Sequence, residues 1–225
     1  MFRDGFVARN MMRIIDLSQT LENGMPVFPG APHPRFDVCG DVPAGDVYSL
    51  IKFEMTTHVG THIDCNTHVK AEGYRTDIMD LTHFMGKGIV IDCSEFGEGQ
   101  EIPHTVFEKY DLSDKEFVLL YCGWDKYWGE ENFCGNFPVI SEEAARFLAN
   151  HPTVRGLGVE YISIDPLSDT NLTRHQIFMD GKEKCIIENL CNLDKLIGKQ
   201  FTFLAMPLKF KNGEGSPTRA IAVLD

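Results

Sequence analysis

The stretch His58-Val59-Gly60-Thr61-His62-Ile63-Asp64-Cys65-Asn66-Thr67-His68 decides how this sequence is read. Its even positions are His58, Gly60, His62, Asp64, Asn66 and His68, and its odd positions are Val59, Thr61, Ile63, Cys65 and Thr67. Alternate side chains of an extended chain share a face. One face therefore carries ligand chemistry, and the other is apolar or β-branched, as a core-facing surface should be. A helix is the rival form, since His58 and His62 are four apart. Val, Thr, Gly and Ile are poor helix formers, however, and Asp64 would leave that face. The extended form cannot persist over the whole stretch, because ten steps would part His58 from His68 by roughly 33 Å. One ion with ligand bonds near ~2 Å cannot span that. If these residues share a site, the chain bends: Gly60 is the hinge, and a turn around Cys65–Thr67 returns His68. Imidazole and carboxylate donors suit Zn or Mn better than a soft metal. The plainer alternative is a solvated polar strand face.

Working outward, 225 residues suffice for one sizeable domain, taken as 1–225, and are short for two. Residues 1–11 read as an N-terminal extension without the apolar core of a signal peptide. The net charge of -12 argues against an extended nucleic-acid surface and against an anionic membrane as partner. No segment approaches the roughly 20 apolar residues of a spanning helix. The expected partner is a small-molecule substrate, and the expected location is the cytoplasm. Seven cysteines without a C-x-x-C read as buried reduced thiols rather than a disulfide or zinc-finger framework.

Strand-like stretches dominate. Strands are expected near 13–17, 48–57, 88–93, 116–122, 156–164, 184–189, 201–209 and 218–224, from β-branched and aromatic enrichment between turn signals. Prolines and Gly30 make 24–35 a loop. The clearest helix is Ser141–Asn150, with Ser141 as cap, Glu142 and Glu143 at the positive end, and His151-Pro152 as stop. Shorter helices are expected over Thr76–Met85, closed by Gly86, and over about 104–110. The pattern is one mixed α/β domain, strand-rich with few helices.

A metal centre needs more acceptors than one segment supplies. Glu188 lies within the apolar run Cys185-Ile186-Ile187-Glu188-Asn189-Leu190, where a carboxylate must be paired, coordinated or turned outward. His175 is a further candidate, with an ordinary hydrogen-bonded histidine as its alternative.

Together these residues resemble the cyclase family of metal-dependent hydrolases, the group containing kynurenine formamidase and isatin hydrolase. Its hallmark H-x-G-T-H-x-D-x-P-x-H runs here from His58 to His68, with Asn66 in place of proline. Ile15-Asp16-Leu17-Ser18-Gln19 resembles the family's opening strand, and Pro26-Val27-Phe28-Pro29-Gly30 its substrate-side loop. Gly158 to Asp165 resembles G-x-D-x-x-S-x-D with Glu160 for the first aspartate. Ile187-Glu188-Asn189-Leu190 and Gly215-Ser216-Pro217-Thr218-Arg219-Ala220 match the last two blocks, so the likeness covers about 13–224.

The resemblance implies a swivelling β/β/α fold. It implies that His58, His62 and Asp64 hold one metal, and that Asp64 and Glu188 reach a second, completed by His175. Two ions of Zn or Mn per subunit would follow, with His68 as the acid/base. The spacing from His175 to Glu188 is about one residue longer than the family's. The implied reaction is arylformamidase hydrolysis of N-formyl-L-kynurenine to L-kynurenine and formate, with isatin-type cyclic amides or lactones as alternatives. A homodimer or homotetramer is also implied. Phe28 would stack on an aromatic substrate or simply pack its loop. Trp124 and Trp128 are expected to pack rather than bind, and Arg219 to pair with a carboxylate. Two other classes remain open at this point: a thiol hydrolase with a histidine-activated cysteine, and a silent metal- or ligand-binding homologue.

Overall fold

The computed structural model describes residues 13–180 and 183–224; the reading of 1–11 as an extension lies outside them. Thirteen strands and two α-helices follow in chain order among these residues. The strands are β1 (Arg13–Asp16), β2 (Arg35–Gly40), β3 (Leu50–Glu54), β4 (His62–Asp64), β5 (Met85–Asp92), β6 (Glu101–Ile102) and β7 (Phe117–Tyr121). They continue with β8 (Val139–Ile140), β9 (Gly156–Val159), β10 (Cys185–Glu188), β11 (Phe201–Leu204), β12 (Gly215–Pro217) and β13 (Ile221–Leu224). The helices are α1 (Glu142–Asn150) and α2 (Thr173–Phe178). The molecule is mixed α/β with few helices, as the composition implied.

Nine strands form one sheet in the order β1-β13-β11-β5-β7-β9-β10-β4-β12. The central pairs β5–β7, β7–β9 and β9–β10 are parallel, and the flanking ones antiparallel. Both faces of the parallel part are covered, which is why its strands read as unbroken apolar runs. In β7, Val118 and Leu120 join the core that includes α1, while Phe117 and Leu119 join the opposite core with Phe203 and Ile63. β6–β8 is a small parallel pair, and β2–β3 an antiparallel hairpin apart from the main sheet.

Helix α1 forms as expected, with Ser141 Oγ accepting from Ala144 N. Its buried face is Ala144, Ala145, Leu148 and Ala149. The helix expected over Thr76–Met85 is not there: only Leu81–Phe84 makes a 3-10 turn. Asp80 accepts from both the backbone and the hydroxyl of Thr82, so a cap interrupts the ladder mid-stretch. Gly86 lies inside β5 rather than closing a helix. The 104–110 helix is a 3-10 run, His104–Lys109. Strand β9 stops at Val159, earlier than expected. Beyond it the Glu160 carboxylate takes the N–H groups of Cys122 and Trp124, and the chain turns. Trp124 is buried with its indole donating to Phe133 O, and Arg219 pairs with Asp16, so both do the packing and pairing work expected. All seven cysteines are free thiols, with Cys39 exposed rather than buried.

Candidate metal centre

The hallmark stretch is extended only over His62–Asp64. Gly60 takes φ +57, and a Cβ there would stand 2.3 Å from Leu21 Cδ2. Both the conformation and the space require glycine. After Asp64 the chain enters a 3-10 turn over Asn66–His68. These two bends solve the length problem: the His58 and His68 rings end with centroids 4.0 Å apart. Asn66 begins that turn and donates from Nδ2 to Met179 O at the end of α2.

Strand pairing supplies the distant carboxylate. In the antiparallel register of β10 with β4, Glu188 lies opposite His62 and Ile186 opposite Asp64. Directly opposed residues project to one face within about 5 Å, so 126 positions of sequence collapse into one contact. Ile63 and Cys65 turn the other way into the core. Strand β12 closes the other side of β4, with Gly215 opposite Asp64. A Cβ on Gly215 would meet His58 Cε1 at 2.6 Å, so glycine makes the room for that imidazole.

His62 Nε2 lies 3.3 Å from Asp64 Oδ1 and 3.4 Å from Glu188 Oε2. His175 Nε2 lies 3.3 Å from Glu188 Oε1 and 3.6 Å from Asp64 Oδ2, and His58 Nδ1 lies 2.6 Å from Asp64 Oδ1. The fully buried Asp64 nevertheless receives no directed hydrogen bond on either oxygen. Buried carboxylates are paired or coordinate metals, and this one is ringed by imidazole nitrogens at ligand spacing. Two ligands on one tetrahedral ion, each at about 2.0–2.1 Å, stand about 3.3 Å apart, which is the spacing of the His62, Asp64 and Glu188 atoms. Two overlapping groups of donors lie within 4.8 Å, His58/Asp64/His68 and His62/Asp64/Glu188, with Asp64 common to both. The donor set fits one or two divalent cations.

Outer contacts fix the rings. His62 Nδ1 donates to Gly60 O at 2.9 Å, leaving Nε2 for the carboxylates. His175 Nδ1 donates to Asp165 Oδ2 at 2.6 Å, a carboxylate–histidine arrangement of the kind that orients metal ligands. Asp165 Oδ1 in turn accepts from Arg174 N, and Arg174 reaches Glu101 and Ile140 O. Asp165 and Arg174 were not singled out as site residues from sequence, although Asp165 closes the Gly158–Asp165 block. Glu214, 3.3 Å from His58 Nε2, was missed entirely and carried no sequence signal.

Electrostatics separate the histidines. Burial opposes a proton on His62, but Asp64 and Glu188 outweigh it and push it up to about 10. For His175 burial also opposes the proton, and Asp165, Asp64 and Glu188 raise it well above the usual value. His68 goes the other way: burial, with the neighbouring His58 and His175, outweighs the carboxylates and lowers it. The pocket thus has the negative field a cation needs, and one imidazole held neutral.

A cavity of about 540 Å³ opens over these residues. His58, His62, His68, His175 and Glu188 form one wall, and Phe28, Ile162, Leu167 and Leu172 give it an apolar side. All six residues expected at the site from sequence, with Phe28, are thereby brought to one place.

A buried His/Asp/Glu cluster under an apolar cavity is the layout of a metal-assisted enzyme site. The Cyclase family model matches residues 15–166. A kynurenine formamidase from Bacillus cytotoxicus is 32% identical over 209 residues, covering 92% of this chain and 95% of its own. Isatin hydrolase A from Labrenzia aggregata superposes with TM-score 0.82 at 27% identity, over 95% of this chain and 94% of that one. Isatin hydrolase A from Ralstonia solanacearum shares the fold with TM-score 0.84 at 24% identity, over 97% and 94%. The chain belongs to the Cyclase family and is a hydrolase of that family.

Proposed function

We propose that this protein is a metal-dependent hydrolase of small aryl amides, with an arylformamidase reaction on N-formyl-L-kynurenine as the leading activity. The observation that carries the reading is Asp64, buried and ringed by His58, His62, His175 and Glu188, beneath a cavity whose apolar side includes Phe28. His58, His62, Asp64, His175 and Glu188 would hold Zn or Mn, as two ions. A divalent cation bound there supplies Lewis acidity and acidifies water toward neutrality.

The chain's own residues do the rest. His68, kept neutral by burial, takes the proton of the attacking water on its imidazole nitrogen and delivers it to the leaving nitrogen. The C–O bond forms as the C–N bond breaks, and formate and an arylamine leave. Phe28 covers the aryl ring, and the apolar wall excludes water. A cyclic-amide reading has its own support in the likeness to isatin hydrolase A of Labrenzia aggregata. The thiol-hydrolase alternative loses ground, because burial pushes Cys185 and Cys191 up to about 12, which leaves them protonated at neutral pH.

We place the protein in the cytoplasm, in keeping with its free thiols, and among the described residues no helix is long and apolar enough to cross a membrane. We also propose a homodimer or homotetramer, on the exposed hairpin considered below. The test is metal analysis of unchelated protein joined to turnover of N-formylkynurenine, isatin and simple lactones. Bound Zn or Mn with formamide turnover abolished by chelation is expected, and metal-free protein with full turnover would overturn the reading.

A further inference from the structure

Apart from Glu188 of the metal group, the described residues lining the cavity carry one carboxylate, Asp169. Among the described residues lining the cavity none is lysine or arginine. Of the four histidines there, His58, His62 and His175 are taken by the metal group and His68 by proton transfer. Arg174, just beyond in sequence, is buried and committed to Glu101, Ile140 O and Asp165. Lys70 and Arg146 line a different cavity. A substrate carboxylate therefore meets no lysine or arginine among the described residues lining this cavity.

Asp169 is instead ready for a cation. Its Oδ1 accepts from Asn171 N at 2.9 Å and its Oδ2 from Thr173 N at 3.1 Å. With the Thr173 hydroxyl also bonded to it, three acceptor positions of about four are filled, and Arg174 adds a favourable charge from a distance; the carboxylate is thus fixed in place and keeps one position for a ligand. Although its slight burial favours the neutral acid, those hydrogen bonds prevail and keep the group ionised. The loop that shapes it includes Leu172, a non-glycine residue at φ 51 and ψ 50 that itself lines the cavity. The overall charge of -12 adds a long-range bias toward cationic ligands.

We propose that Asp169 is a specificity-determining residue that receives an ammonium group, so that this site prefers aryl amides carrying an alkylammonium arm and gains nothing from a carboxylate on that arm. The inference rests on the aryl-amide reading above and names the substrate class within it. A zwitterionic amino-acid arm is accepted through its ammonium. The decarboxylated arm is accepted at least as well, a neutral arm less well, and a purely anionic arm worst.

The test uses metal-loaded protein and four aryl formamides of matched arm length, bearing ammonium, ammonium plus carboxylate, a neutral group, or carboxylate alone. The ammonium arm is expected to exceed the neutral one in kcat/KM by about tenfold or more, the lower end for a hydrogen bond to a charged group. Asp169→Asn is expected to bring the ammonium and neutral arms to within a few-fold of each other. A carboxylate arm equal to or better than the ammonium arm overturns the proposal, as does a preference that survives the substitution. Turnover of the neutral arm with a flat ranking sinks this inference alone, whereas no turnover of any arm sinks the aryl-amide reading and the inference with it. Because Asp169 also braces its loop, a second measurement uses the unaltered protein: competition by a phenylalkylammonium and a phenylalkanoate of equal length. About tenfold tighter inhibition by the ammonium compound supports the assignment, and equal inhibition overturns it.

Discussion

Gly60 shows how much one residue carries. It combines a left-handed backbone with a contact to Leu21 that admits no Cβ, and it turns His58 back toward Asp64. Gly60→Ala is expected to cost about 1–2 kcal/mol for the conformation alone and more for the clash, with loss of metal binding, read by thermal unfolding and metal analysis. His68 differs from its neighbours in being held neutral. His68→Ala is expected to keep its metal and lose turnover by about 10²–10⁴-fold; full activity in that variant would remove the acid/base role. Asp165 reaches the metal group through His175 Nδ1 and also holds the start of α2 by accepting from the backbone N–H groups of Arg174 and His175. Asp165→Asn is expected to weaken metal affinity by about 10–100-fold, because the His175 ring loses the carboxylate that orients it, measured by competition with a chelator.

At the scale of elements, the site is a junction of pieces that short side-chain contacts hold in place. Asn66 replaces the family's proline, and its amide ties the turn bearing His68 to the end of α2, the helix bearing His175. Asn66→Ala is expected to lower kcat more than it changes KM, and to cost about 1 kcal/mol in urea unfolding for the lost hydrogen bond. The turn after β7 is held by Glu160, whose carboxylate accepts from Cys122 and Trp124. Burial, with Asp125 adding repulsion, outweighs these bonds and pushes Glu160 up to about 8. A raised carboxyl stabilises the fold fully below its unfolded value near 4.5, and that stability drains away as pH rises through about 8. Unfolding measured at pH 6 and pH 9 should show a loss of a few kcal/mol that Glu160→Gln largely abolishes. An unchanged pH dependence in the variant would show that the charge is carried elsewhere.

For the whole molecule, the hairpin β2–β3 is the unfinished part. Its register pairs Arg35 with Glu54 and Asp37 with Lys52 on one face, and Phe36 with Phe53 and Val38 with Ile51 on the other. The apolar face stays open: Val38 is 71%, Ile51 59% and Phe53 55% exposed. An isolated two-stranded hairpin is marginal in water, and an apolar face of this kind is what a symmetric self-contact covers. The charged face is balanced, so two copies of the hairpin meet without net repulsion. Ile51→Asp with Phe53→Asp is expected to shift the protein to monomer by light scattering while leaving the cores intact. A wild-type protein that is already monomeric at working concentration would remove this role.

The parity of His58 to His68, the Gly60 hinge and the need for a second bend were all legible in the sequence, because side-chain period and chain length are local properties. So were the strand-rich composition and helix α1 with its Ser141 cap, whereas of the seven cysteines expected to be buried only Cys65, Cys93 and Cys185 are. Short elements were not. Helix α2 and strands β2, β6, β8 and β12 are two to six residues long, below what periodicity resolves, and the Thr76–Met85 helix gave way to the cap at Asp80. Tertiary structure alone decided that Glu188 faces His62, since that follows from strand register across the sheet. It also decided that Asp165, Arg174, Glu214 and Asp169 surround the site. Their roles come from distance and burial, which arise only when strands remote in sequence are brought side by side.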